Sequence, residues 1–437
     1  MQSEKPEGLV RVIGVRGVAT NVVNLTIGAG IFGLPALVAA QLGPAAVLAY
    51  LLCGILICLV MLCYAEIGSK LSAAGGVYTY VGTAFGQYPG FITNMLYVIY
   101  ALGAHAAIAN LMIDNVAILF PWLSNTYLRS IFLAFVIGGI AWLNVLGIKQ
   151  GMRLVVVVTL SKIIPLLALI LVGVWFIFPE NLTWSETPSL KSFGEGAIIL
   201  FFAFGGGESA LNSSGEIKNP ARTIPRGILF GVLSVFIIYF SIQVVSQGVL
   251  GIELAKQAGA PLAAVADKIV PGYGTLLMII GAAVSCLGLL SGDIPTNSRL
   301  PYAAARDGLL PAFLAKVHPK YSTPYWSVIL YACAGYALAL SGGFRQLAIL
   351  SSGALLLVYA LVILSTIKLR KTKTENSFII PGGVIVPILA LGATGWFLSN
   401  LSKTEIITVV AFLAFFSVVY LFFKRILNKD RKLDSKE

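Results

Sequence analysis

The residues best placed to do chemistry in this chain sit where a helix ought to continue. TIGAGIFG (26–33) and FGGGES (204–209) put glycines inside apolar stretches long enough to cross a bilayer. An interrupted helix leaves backbone groups without internal partners, which is tolerable at membrane depth only where something else satisfies them. Where the first stretch resumes, the amides around Ala29, Gly30 and Ile31 carry the positive end of a helix dipole and suit a carboxylate. Where the first halves end, carbonyls near Thr26, Phe202 and Gly205 suit an ammonium group. A carboxylate and an ammonium held a few ångströms apart describe an amino acid. Close packing of small residues along a helix seam is the competing reading of the same glycines.

Ionisable residues add to this pattern. Lys162 lies mid-span in VVVVTLSKIIPLL (155–167), where a charge costs about 2.5–3.5 kcal/mol and needs a partner. Glu208 follows directly on the second interruption. Asp293 lies in LSGDIPTNSR (290–299), where Pro295 is expected to disturb the helix. An acid at 293 either attracts a cationic substrate side chain or pairs with Lys162 or a water. His105, in ALGAHAAIAN (101–110), is either a satisfied core histidine or a pocket residue. No metal-ligand spacing and no nucleophile–base pair is visible, and the glycines 205–207 lack the strand and lysine of a phosphate loop. An enzyme is not expected, nor is any cofactor.

The elements that must position these groups are membrane spans. Of 437 residues 58% are hydrophobic and 11% charged, and the mean hydropathy is +0.91, so the chain belongs in a bilayer. Twelve apolar spans can be drawn between residues 15 and 423, with short interfacial helices at 75–87 and 251–271. The interruptions fall five spans apart, in matching positions of two five-span units. Since five is odd, those units must be inverted. The reading is an all-α integral membrane protein: a cytoplasmic segment 1–14, a first repeat 15–178, a second repeat 194–368, two further helices 384–423 and a cytoplasmic tail 424–437.

The first fourteen residues mix both charge signs, so no signal peptide is expected. The net charge of +12 comes from lysines and arginines scattered through short loops, mostly on the side of the termini. That bias places both termini in the cytoplasm of a cell-membrane protein and makes nucleic acid an unlikely partner. The five cysteines all fall in apolar runs and read as core packing. Oligomeric state is left open.

GAGIF (28–32), FFAFGGGESALNSSGEIKNPARTIPR (201–226) and AAARDGLLPAFLAKVHPKYSTP (303–324) together resemble the amino acid-polyamine-organocation transporters. The resemblance implies a LeuT-like five-plus-five inverted repeat and alternating access, sodium-independent and either proton-coupled or exchanging, with a cationic amino acid or polyamine antiporter as the alternative. It implies that Tyr97, Ala101 and His105 line the side-chain pocket, and that Phe202 is an occluding gate. Lys162 would stand where related transporters hold sodium, tying the first break to span 8. Glu208 would serve in gating and proton sensing. Asp293 would occupy a side-chain contact position. Many relatives carry serine where this chain has Ala29, so a hydroxyl contact to the carboxylate is lost here.

Overall fold

The computed structural model describes residues 13–71, 76–147, 152–183, 188–372 and 377–434. Most of the N-terminal segment, the last three residues of the tail and residue 75 of the first interfacial stretch lie outside the described residues. Regular structure among the described residues is helical, apart from one bridge between Ile13 and Ile217. Among the described residues seven helical stretches are long and apolar enough to cross a membrane, and three shorter apolar helices accompany them.

In chain order the helices are α1 Val15–Thr26, α2 Gly30–Leu42, α3 Ala46–Lys70, α4 Gly76–Phe85, α5 Gln87–Leu119, α6 Thr126–Val145, α7 Met152–Gly173 and α8 Leu190–Phe204. Then follow α9 Pro220–Leu250, α10 Pro261–Ile269, α11 Tyr273–Asn297, α12 Arg299–Arg306, α13 Tyr325–Ser341, α14 Phe344–Leu369, α15 Ile385–Ser399 and α16 Lys403–Asp434. α5 is the central post, with 78% of its most apolar window buried, whereas α16 buries 11% of its own and turns the rest outward. A helix apolar on all sides is stable in either place, because lipid and protein interior are equally apolar.

Several sequence expectations need adjusting. Pro295 sits in the last turn of α11: it removes one bond, to the Ser291 carbonyl, and since only two residues follow before the end at Asn297 the disturbance stays at the helix end. α16 runs on to Asp434, so most of the expected tail is helical; KRILNKDRKLD holds good helix formers and no glycine or proline. The 251–271 stretch resolves into a 3₁₀ turn, Gly251–Lys256, followed by α10. Cys53, Cys63 and Cys286 are core residues as expected, but Cys58 is half-buried and Cys333 exposed.

Candidate functional site

Both glycine-rich stretches interrupt helices, and the interruptions pack on one another. α1 stops at Thr26, Ile27 turns extended with φ −71° and ψ 95°, and α2 begins at Gly30. α8 stops at Phe204, and the chain continues after Gly205 and Gly206 as a 3₁₀ helix, Gly207–Glu216. Gly206 has φ +103°, and a Cβ there would come within 2.6 Å of the Leu25 carbonyl oxygen, so both conformation and space require glycine. Across the same contact, a Cβ on Gly30 would meet the Cα of Ala203 at 3.1 Å.

The helix ends are only partly free. Asn24 O accepts from Lys162 Nζ at 2.5 Å, and Thr26 O accepts from the Tyr239 hydroxyl at 2.8 Å. Phe202 O accepts from Gly205 N at 3.3 Å. Carbonyls expected to wait for an ammonium at Thr26 and Phe202 thus already hold one donor each, although a carbonyl keeps a second lone pair. The amides of Gly30 and Ile31 open α2 and have no acceptor four residues back within it.

A cavity of about 260 Å³ lies between these breaks and the helices α5, α7 and α11. Thr26, Ala29, Gly30, Tyr97, Ala101, Phe202, Gly205, Asp293 and Lys162 all contribute to its wall. Ile31, His105 and Glu208 do not; each is buried behind it. The sequence reading missed Asn24, Tyr100, Ser209 and Asn297, which also line it. Their signal was available in principle, since a polar residue inside an apolar helix is costly unless it has work to do. On the α2 side, Phe202 packs edge-on against Phe344 of α14 with ring centroids 5.6 Å apart. On the α1 side, the wall is formed by Asn24, Leu25 and the exposed Thr296.

Lys162 is 2% exposed, and its recorded hydrogen bond reaches α1 rather than the α11 span to which it was also expected to tie. Asp293 does not pair with Lys162. Its Oδ2 accepts from His105 Nδ1 at 2.9 Å and from the Tyr331 hydroxyl at 2.9 Å, and its Oδ1 accepts from Asn297 Nδ2 at 2.6 Å. Glu208 is sealed off by tyrosines: Oε1 accepts from Tyr97 at 3.0 Å, and Oε2 from Tyr359 at 2.8 Å and from the Gly206 amide at 3.1 Å. Tyr97 therefore has one face in the cavity wall and its hydroxyl on Glu208, with Ser209 Oγ 2.6 Å away.

A further buried carboxylate escaped the sequence reading altogether. Glu66 of α3 meets the Arg370 guanidinium through Nε at 2.8 Å and Nη2 at 2.6 Å, Lys70 Nζ at 3.3 Å and the Ile380 amide at 3.1 Å. It links α3, the end of α14 and the segment leading to α15.

A many-helix apolar fold around a small cavity with a few polar groups in a largely apolar wall, between two interrupted helices, is that of a multi-pass membrane transporter. The sequence comparisons give the family: a profile described as amino acid permease matches residues 13–431, and the chain belongs to that family within the amino acid-polyamine-organocation superfamily. It is 29% identical to a methylthioribose transporter of Bacillus subtilis, over 97% of this chain and 96% of that one. It is 26% identical to a branched-chain amino acid permease of the same organism, over 96% and 94% respectively. Likeness to a serine/threonine exchanger of that organism is 29%, over 91% and 92%.

Proposed function

We propose that this chain carries an L-α-amino acid across the cell membrane by alternating access, without sodium, driven by a proton or by exchange. The observation that carries the reading is the pair of breaks around one cavity: first-turn amides of α2 for a carboxylate, and partly filled carbonyls at the ends of α1 and α8 for an ammonium. In this reading the twelve spans form inverted units 15–178 and 194–368 with 384–423 added, and both termini are cytoplasmic. The contact of Lys162 with the Asn24 carbonyl, at the end of α1, supports an ammonium in place of a coupling cation. The exchange option is in keeping with the relative that is a serine/threonine exchanger.

A cationic substrate is the second reading, and Asp293 in the cavity wall favours it. Against it, Glu208 stands behind Tyr97 and adds no carboxylate to that wall. Uptake into proteoliposomes decides between them: alanine, serine and leucine against arginine and ornithine, with methylthioribose included because of the first relative named above. Neutral amino acids are expected to be taken up equally in sodium and in choline. Strict sodium dependence, or transport of no amino acid, would overturn the reading. Lys162→Ala is expected to lower uptake by about tenfold or more, the scale of one lost 1.4 kcal/mol contact or larger; an unaltered rate would remove Lys162 from the mechanism.

A further inference from the structure

We propose that the His105–Asp293 pair is the site at which this transporter takes up and releases a coupling proton, an assignment that rests on the function proposed above. Asp293 lines the cavity with its side chain 16% exposed, while His105 lies directly behind it, fully buried, with Nδ1 2.9 Å from Oδ2. The cavity thus meets the carboxylate, and the carboxylate meets the imidazole. Glu208, the other acid near the breaks, has no such exposure.

The hydrogen bonds around the pair set the ring tautomer in this conformation. Tyr331 and Asn297 also donate to Asp293, so the carboxylate is ringed by three donors. His105 Nδ1 then carries the ring proton, and Nε2 is left as a bare acceptor with no protein partner among the described residues. The Gly335 backbone of α13 closes on that edge: a Cβ there would lie 2.8 Å from ring Cδ2 and 3.5 Å from Nε2. A second ring proton would be a buried donor with no protein acceptor.

The groups that can carry charge or titrate around the pair are Tyr331 on α13, which touches both members, and Tyr100 on α5, which interacts with Asp293. Lys162 stands on α7 in the cavity wall. Among all of these, the pair included, Asp293 is the one acid that touches both the ring and the cavity.

The coupling follows from that geometry. Where α5 and α13 shift so that the Nε2 edge opens to water, Nε2 takes one proton, leaving imidazolium beside the Asp293 carboxylate. That form persists only where α5 and α13 shift to give Nε2–H an acceptor. Return to the present packing closes the Gly335 side on that edge and expels the proton from Nε2 to water. A proton thereby favours one conformation and its loss the other, which is the thermodynamic requirement for coupling.

The test uses the full chain in proteoliposomes loaded with a pH-sensitive dye and challenged with a mixture of the twenty L-amino acids. Protons moved are counted against amino acid moved, and amino acid counterflow is followed separately. In the unaltered protein, protons are expected to move with substrate. In His105→Gln the ratio should fall toward zero while counterflow persists at any measurable rate, and Tyr331→Phe, which removes a donor but no comparable titrating site, should keep the original ratio. A preserved ratio in His105→Gln, or net amino acid uptake without proton movement in the unaltered protein, would overturn the assignment. If His105→Gln fails to fold, Asp293→Asn serves in its place with the same expectation. Absence of counterflow in the unaltered protein would instead strike the amino acid reading itself.

Discussion

Glu66 and Glu208 are both buried glutamates at helix ends, 0% and 3% exposed, yet their partners differ in kind. Glu66 is met by two cations and a backbone amide, so its charge is compensated where it stands. Glu208 is met by two tyrosine hydroxyls and one amide, neutral donors that orient a carboxylate without cancelling it. A compensated ion pair locks its elements together, because removing one partner strands the other charge. A carboxylate held by neutral donors can lose its charge with its neighbours still in place. The first arrangement suits a fixed joint between α3 and α14, and the second suits a part that changes state beside the second break.

The same substitution at both positions separates the two most sharply. Glu66→Gln should destabilise the protein by about 3 kcal/mol or more, since it leaves Arg370 and Lys70 without their carboxylate; thermal unfolding in detergent would read this as a clear fall in midpoint. Tyr359→Phe is expected to cost about 1 kcal/mol, one hydrogen bond to Glu208, by the same measurement. Glu208→Gln should cost less than about 1 kcal/mol, because an amide oxygen in the place of Oε2 still accepts from Tyr359 and the Gly206 amide while the amide nitrogen donates to the Tyr97 hydroxyl; a loss as large as that at Glu66 would erase the distinction. Smallest of all, Lys70→Met should change the midpoint by about 0.5 kcal/mol or less, since Arg370 retains its two-pronged grip.

How far the site was legible in the sequence depends on what kind of fact is asked for. Glycine at 28, 30 and 205–207 announces an interruption because its backbone freedom is a local property. Lys162 announces a partner because an unpaired cation in lipid is expensive, but the sequence left the partner open between two elements. Tyr239, which takes the Thr26 carbonyl, lies 213 residues away along the chain. Nothing in its local surroundings, IIYFSI, distinguishes it from a packing tyrosine. Glu66 and Arg370 are separated by 304 residues, and nothing local to either names the other.

By itself, then, the sequence determined that the chain lives in a membrane, that two of its helices break near residues 27 and 205, and that Lys162, Glu208 and Asp293 need partners there. Composition, glycine placement and the energetic cost of charge in hydrocarbon are each properties of a short stretch. Only the tertiary structure decided that His105 and Glu208 stand behind the cavity wall rather than in it, that Asp293 takes His105 instead of Lys162, and that Glu66 is clamped. Those outcomes depend on which helices come to lie side by side, and pairing across hundreds of residues leaves no mark on either local stretch.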